Sequence, residues 1–538
     1  MRYNYLNCFL SHSSHSSLQK PTSYLMCFYI NKDLVIWLQP VKWILTQPIY
    51  FKETDSMSFP VEKKMKKLPK YRQIVHFIKE KIGNGEWPIG SKIPSQRTLA
   101  KDFQVNRSTV ITALEELMAD GLIEGTMGKG TVVINNTWTL MAKNSAPDWD
   151  QYVTSGIQMP SRKIVQEINQ SESNTDLIQL SKGELSAEIF PLAVMKEMMG
   201  KVSQHMEAFG YEEPKGYLPL REALSNYLKT IGINVSSSSI LIVSGALQAL
   251  QLISMGLLQR GSTVYLDQPS YLYSLHVFQS AGMKLTGLPI DNEGLLPENV
   301  HLTRGERGRA ILYTNPCFHN PTGILMSKKR REEILAVSEN TQLPIIEDDI
   351  YRELWIDEIP PYPIKTIDKN GHVLYIGSLS KTLSPGLRIG WIVGPEPVIE
   401  RLSDIKMQTD YGSSSLSQRV AAEWFTSGHY QQHVEKVRQQ LKVRRELALS
   451  AIETHLKDVA TWNIPKGGFF VWIKILPSIS MKLLYTKALS KGILLNLGSI
   501  YAQEKGNYIR LSYAYASLED LQKGIYELGL MIKELASK

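Results

Sequence analysis

The sequence predicts a multidomain chain: a small N-terminal unit of three helices and a two-stranded wing, a linker, and a large α/β unit with a mainly parallel sheet that closes in a small α+β subdomain. Three observations predict it. A basic stretch near the start has helical apolar spacing punctuated by glycines, strand-like apolar runs alternate with helical ones over the rest, and 538 residues exceed what one hydrophobic core organises. The composition, 43% apolar and 21% charged, is that of an ordinary folded chain and excludes disorder as the general state.

The first 56 residues share none of this pattern. Residues 23–45, SYLMCFYINKDLVIWLQPVKWIL, are apolar, but Lys32, Asp33, Pro40 and Lys42 cut them into short runs, whereas a membrane-spanning helix needs about 20 apolar residues. They also lack the basic start, apolar block and small-residue cleavage site of a signal peptide. Residues 1–56 are therefore read as an extension of doubtful authenticity, with Met57 or Met65 as the native start. Cys8, Cys27 and Cys317 are odd in number and share no metal-ligand spacing, which predicts neither a disulfide framework nor a metal site, and fits a reducing, cytoplasmic location without membrane attachment.

Residues 66–135 form the first predicted domain. LPKYRQIVHFIKEKIGNG places Ile74, Val75, Ile78 and Ile82 on one helical face and stops at its glycines. Ser95 caps a second helix running to Phe103; a third starts at Arg107 or Ser108, runs to Ala119 and ends at Gly121. GLIEGTMGKGTVVI then reads as two short strands around a glycine-rich turn. Two helices joined by a tight turn and followed by such a wing make a winged helix-turn-helix. Charge agrees with that: residues 60–135 carry 13 Lys or Arg against 8 Asp or Glu, most of the excess of a chain whose net charge is +8. Arg107, Ser108, Thr109 and Thr112 occupy the first turns of the third helix, where base edges and phosphates are met. Arg97 suits a phosphate or guanine contact, and Lys129 in the wing suits the minor groove or backbone.

These residues, in this order, resemble the GntR family of bacterial regulators, through PKYRQIVHFIKEKI, PSQRTLAKDFQVNRSTV, ALEELMADGLI and the GKGT wing. The resemblance covers about 65 residues. It implies binding of a double-stranded DNA operator. A basic residue is frequent in that family where this chain has Ile111, which shifts the expected base readout toward Arg97 and Arg107.

Residues 136–165 hold turn formers, both charges and no sustained period, and are read as a linker with one short helix toward its end. The remainder, 166–538, is the second predicted domain. ILIVSG, TVYLDQPSY, AILYTNP, PIIEDD, VLYIGS and RIGWIVG are short apolar runs separated by helical stretches, the mark of strands covered on both faces. A long amphipathic helix from about 429 leads to GGFFVWIKI and NYIRLSYAYA in the small α+β subdomain.

The chemistry-bearing stretch is GSLSKTLSPGLRIGW, residues 377–391. A lysine that joins a carbonyl must be held near it and deprotonated often enough to attack. Lys381 follows a strand, Ser378 and Ser380 offer hydroxyls to an anion, and Arg388 adds a planar fork suited to phosphate. Upstream, ILIVSGALQAL is a strand, a glycine turn and a helix start, so the amides around Ala246 and Leu247 point at the same kind of anion. An aldehyde-bearing cofactor with a phosphate handle is pyridoxal 5'-phosphate. That cofactor needs a carboxylate at its ring nitrogen, supplied by Asp348 at a strand end; donors at its ring oxygen, from Asn320 and the Tyr351 hydroxyl; and an aromatic on its ring face, Tyr271.

The set resembles the fold-type I aminotransferases of class I over about 360 residues, from DLIQLSKGELSAEIFP to the C-terminus. The resemblance implies that Lys381 forms the Schiff base, with Asp348 and Tyr351 completing the catalytic set. It further implies that Tyr211 reaches the phosphate from a second subunit of a homodimer and that Arg510 binds a substrate carboxylate. Together the halves resemble the MocR branch of the GntR family, which implies a regulator that senses a small amino compound by aldimine exchange at Lys381. The alternative is an active aminotransferase with an accessory DNA-binding domain, since the residues for transamination are present.

Overall fold

The computed structural model describes residues 68–126, 130–135, 149–158, 160–206, 210–303, 305–502 and 506–537. The N-terminal extension and Lys129 lie outside them. The chain divides into two units, Met1–Trp149 and Asp150–Lys538.

In the first unit, helices α1 (Lys70–Gly83), α2 (Gln96–Asp102) and α3 (Arg107–Ala119) precede an antiparallel hairpin of β1 (Ile123–Thr126) and β2 (Gly130–Val133). The apolar stripe of α1, Ile74, Val75, Ile78 and Ile82, is the face it buries. It meets Leu99 of α2 and Val110, Ala113, Leu114 and Leu117 of α3 in one core. Each Ile, Val and Leu among them contributes roughly 1.5–3 kcal/mol of burial, which outweighs the modest helix propensity of these short segments. Gly121, at φ +70°, turns the chain out of α3 into the wing. A contact without a sequence signal completes the unit: Val133 donates its amide to Ser91 O at 3.0 Å and Ile93 donates to Thr131 O at 3.0 Å, so the stretch before α2 lies along β2.

Ser95 caps α2, its hydroxyl accepting from the Thr98 amide at 3.2 Å. Ser95→Ala is expected to cost about 1 kcal/mol of local stability, seen as roughly five-fold faster hydrogen exchange at the Thr98 amide.

The second unit is built on an eight-stranded sheet. Its strands are β4 (Ile240–Val243), β5 (Thr263–Gln268), β6 (Lys284–Asp291), β7 (Gly294–Leu295), β8 (Ala310–Thr314), β9 (Ile345–Asp348), β10 (Val373–Ser378) and β11 (Gly390–Val393), in spatial order β4-β11-β10-β9-β8-β5-β6-β7. Strands β10, β9, β8, β5 and β6 run parallel, while β11 is antiparallel to both of its neighbours. Every residue of β4, β8, β9, β10 and β11 is buried, which is why these strands read as continuous apolar runs rather than alternating ones. The helical stretch expected after TVYLDQPSY forms only two short turns, Tyr271–Ser274 and Val277–Ser280.

The C-terminal part holds a four-stranded sheet in the order β12-β13-β16-β15, made of β12 (Ala460–Trp462), β13 (Phe470–Ile475), β15 (Asn496–Leu497) and β16 (Tyr508–Ser512). The 28-residue helix His429–Leu456 and the terminal helix Leu518–Ala536 share its core. Two earlier segments belong to that same core. The helix Lys163–Ser171 inserts Val165 and Ile168 into it, and β3 (Ile178–Gln179) pairs in parallel with β14 (Ile493–Leu494). The chain from 163 onward is thereby fixed beside the site described next. Among the described residues no helix is long and apolar enough to cross a membrane, and no cluster of His, Cys, Asp or Glu could hold a metal ion.

Candidate functional site

A cavity of about 380 Å³ opens at the carboxyl ends of β8, β9 and β10, the usual place for ligands in an open α/β sheet. It is lined by Lys381, Asp348, Tyr351, Asn320, Tyr271, Ala246, Leu247, Ser378, Ser380, Arg388 and Arg510. These residues come from points spread over about half the chain, from Ala246 to Arg510. Tyr211 is not among the lining residues; it is 81% exposed and rests against the Tyr411 ring, with centroids 5.1 Å apart.

Lys381 sits just beyond the end of β10, and its Nζ donates to the Gly183 carbonyl at 2.7 Å. The residue as a whole is only partly covered, but its amine lies deep, and burial lowers its pKa to about 8. An ordinary lysine titrates near 10.4. Attachment of a carbonyl compound to the cofactor-free chain is therefore expected to quicken with rising pH through about 8 and to level off above it. A stopped-flow pH series measures this, and continued acceleration toward pH 10 would contradict it.

Asp348 ends β9 and is 5% exposed. Burial pushes its carboxyl up to about 6, against the lowering effect of hydrogen bonding from Tyr313, so it remains mostly ionised at neutral pH. Tyr313 donates its hydroxyl to Asp348 Oδ2 at 2.7 Å, whereas Oδ1 is buried without a partner. A buried carboxylate oxygen lacking a donor is costly. A protonated ring nitrogen set against it would satisfy it.

The other predicted groups are held by one another. Arg510 donates to Asn320 Oδ1 at 2.8 Å and to the Ser181 carbonyl at 2.7 Å, with its guanidinium over the Phe470 ring at 4.0 Å. Asn320 Nδ2 lies 3.4 Å from the Tyr351 hydroxyl, so a ring oxygen between these two groups would find two donors. Asn315 braces the arrangement, donating to the Asp348 carbonyl at 2.5 Å and accepting the Asn320 amide at 2.9 Å. Sequence reading missed both Tyr313 and Asn315. Their signal was the strand end AILYTNP, beside the motif that holds Asn320.

At the other end of the cavity, the helix Ala246–Gly256 starts at Gly245, whose φ is +89°. A Cβ there would lie 2.6 Å from an Arg388 terminal nitrogen, so only glycine lets the guanidinium approach this helix start. Arg388 donates to the Ser244 carbonyl at 2.7 Å, and Ser378 donates to Ser380 Oγ at 3.0 Å. Backbone amides, two hydroxyls and a guanidinium converge on a cradle suited to a phosphate. The donors thus fit a phosphate-bearing aromatic aldehyde. His319 and Cys317 stand outside this cavity's lining. Burial lowers His319 to about 3 and leaves it neutral, so its 3.6 Å approach to Asp267 is not an ion pair.

In the first unit Arg97, Arg107, Ser108 and Thr112 are exposed and Thr109 is half-buried. Arg107 Nε donates to Gln96 Oε1 at 2.9 Å, tying the starts of α2 and α3 together. Thr112 donates its hydroxyl to the Ser108 carbonyl at 3.2 Å. The side chains assigned to DNA that fall among the described residues therefore lie on the first turns of α3 and on α2.

Comparison with known proteins gives two family matches. Residues 175–528 match aminotransferase class I and II, and residues 70–133 match the bacterial regulatory proteins of the gntR family. The chain is 99% identical over 482 residues to the HTH-type transcriptional regulator YdfD of Bacillus subtilis strain 168, covering 90% of this chain and 100% of that one. It is 53% identical over 458 residues to the HTH-type transcriptional regulator YisV of the same organism, covering 85% and 95%. Among solved structures it resembles LysN, the α-aminoadipate aminotransferase of Thermus thermophilus complexed with N-(5'-phosphopyridoxyl)-L-leucine. That match has a TM-score of 0.65 and 27% identity, over 73% of this chain and 100% of that one.

Proposed function

Because the chain belongs to the GntR family of bacterial transcriptional regulators, in the MocR arrangement that joins a helix-turn-helix to an aminotransferase class I and II domain, we propose that its DNA binding is controlled by exchange of amines at Lys381. The observation that carries this reading is the pairing, in one cavity, of a lysine amine lowered to about 8 with the unpartnered Asp348 Oδ1.

Pyridoxal 5'-phosphate, when bound, supplies an aldehyde carbon at which one amine can replace another. Lys381 Nζ would be the group that holds that carbon until a small amino compound takes its place. Asp348 holds a proton on the ring nitrogen, and Asn320 with Tyr351 fixes the ring oxygen. Tyr271 covers a ring face. The Ala246 and Leu247 amides, Ser378, Ser380 and Arg388 hold the phosphate, joined by Tyr211 of a second copy in a homodimer. Arg510 takes the carboxylate of the effector. On DNA, Arg97, Arg107, Ser108, Thr109, Thr112 and Lys129 meet an operator. Displacing Lys381 alters DNA affinity only insofar as the effector prefers one of two conformations of the dimer.

The test is DNA affinity with and without amines that change the visible absorbance of the bound cofactor. A coupled system shifts by about 5–150-fold in the wild type and by nothing in Lys381→Ala. Spectral change with unaltered DNA affinity would refute the regulatory link. The lowered Lys381 also favours a second reading, since a neutral amine is what proton transfer at a substrate carbon requires. Steady conversion of an amino acid and a keto acid at about 1–1000 per second would make the chain an enzyme first.

A further inference from the structure

The cavity has more charged groups than the cofactor reading uses, and the surplus is net negative. Its charged lining residues are Lys381, Arg388, Arg510, Asp348, Glu172 and Glu184. The proposed function assigns Asp348 to the ring nitrogen, Arg388 to the phosphate and Lys381 to the aldehyde carbon. Two carboxylates and one guanidinium are then left facing the effector.

Glu172 follows the helix Lys163–Ser171 and is half-buried. Among the described residues it has no ion-pair partner, and the cations that act on it, Arg510, Lys182 and Lys381, do so only from a distance. Burial raises its carboxyl above the ordinary range, as befits a carboxylate without a close cation. Among the described residues Glu184 pairs with Lys182, at 3.7 Å, a lysine that also lies over the Tyr515 ring, and it acts from a distance on Lys381.

Two further atoms of the wall are unsatisfied and almost fully buried. Asn496 is 3% exposed; its Nδ2 donates to the Ser181 carbonyl at 3.2 Å, and its Oδ1 has no donor. It stands directly across the strand pair from Arg510, which is 4% exposed and whose Nε has no acceptor. This wall therefore wants one anionic group at Arg510 and several N–H donors elsewhere. An effector whose carboxylate neutralises Arg510 leaves Glu172 and Glu184 facing whatever its side chain carries. An apolar side chain would cover those carboxylates without compensating them, and an acidic one would add repulsion. An ammonium group offers three N–H donors and the missing positive charge.

Resting on the amine-exchange reading above, we propose that the effector is an amino acid with a second, cationic amine on its side chain, received by Glu172 and Glu184 while Arg510 takes its carboxylate.

The experiment compares three probes on the full chain loaded with pyridoxal 5'-phosphate, each titrated against the visible absorbance of the cofactor and against the chain's melting temperature. They are ornithine; norleucine, which puts a methyl where ornithine has its terminal ammonium; and glutamate. Ornithine is expected to bind about tenfold or more tightly than norleucine and still more tightly than glutamate. Glu172→Gln is expected to compress the ornithine-to-norleucine ratio several-fold, and Glu184→Gln to do so less, because Lys182 already offsets Glu184 in part. A ratio near one in the wild type, or an unchanged ratio in both variants, overturns the assignment of a cationic effector while leaving amine exchange standing. Silence of the cofactor toward all three probes and toward simple primary amines overturns the amine-exchange reading itself.

Discussion

Lys381→Ala is expected to abolish covalent capture of pyridoxal 5'-phosphate. After borohydride reduction and denaturation, the wild-type chain retains pyridoxyl label in stoichiometric amount, and the variant releases it all. The reason is local: Lys381 is the one lysine among the residues lining the cavity, and no other described amine faces the space between Asp348 and the phosphate cradle. The fold survives the change, because the hydrogen bond lost is that from Nζ to the Gly183 carbonyl, worth roughly 0.5–1.5 kcal/mol net. Removing a deeply placed amine also removes its desolvation cost. Label retained in the variant would place the attachment elsewhere and undo the assignment of the cavity.

Arg107→Ala is expected to weaken operator binding by about 1–3 kcal/mol, or roughly 5–150-fold at fixed salt. Arg107 is the first residue of α3 and is exposed. Its Nε bond to Gln96 aims the guanidinium from the side of the helix that the motif presents to the major groove. If the contact is to a phosphate, the slope of log affinity against log salt also falls by about one; if it is to a base, the slope stays and sequence discrimination relaxes. The substitution is on the surface, so stability should move by no more than about 0.5 kcal/mol. An unchanged footprint would mean that α3 is not the reading element.

The first unit is legible because its signals are local. The stripe of α1 is the face it buries, Ser95 is a cap, and α3 spans Arg107–Ala119 as its flanking residues indicate. The run beside β2 is not, since a pairing through Ser91 and Ile93 leaves no periodicity. In the second unit, apolar runs mark buried strands but carry no direction: RIGWIVG looks like its parallel neighbours and runs antiparallel to both adjoining strands. The site splits in the same way. Groups clustered in motifs, Lys381 with Ser378, Ser380 and Arg388, or Asp348 with Tyr351, were readable from spacing. Tyr313 was not, because within β8 it looks like core. It meets Asp348 only because β8 lies beside β9, a pairing of residues 35 apart in the chain. Glu172 was hidden for a similar reason: its place on the cavity wall follows from Val165 and Ile168 packing into the C-terminal core.

Reciprocal linkage between amine and DNA tests the central claim most directly. The apparent affinity of the cofactor-loaded chain for an amine that shifts its spectrum is measured alone and then with saturating operator DNA. The account predicts a change by the same factor, about 5–150-fold, by which that amine changes operator affinity, and loss of both effects in Lys381→Ala. An amine affinity that is identical with and without DNA would contradict it.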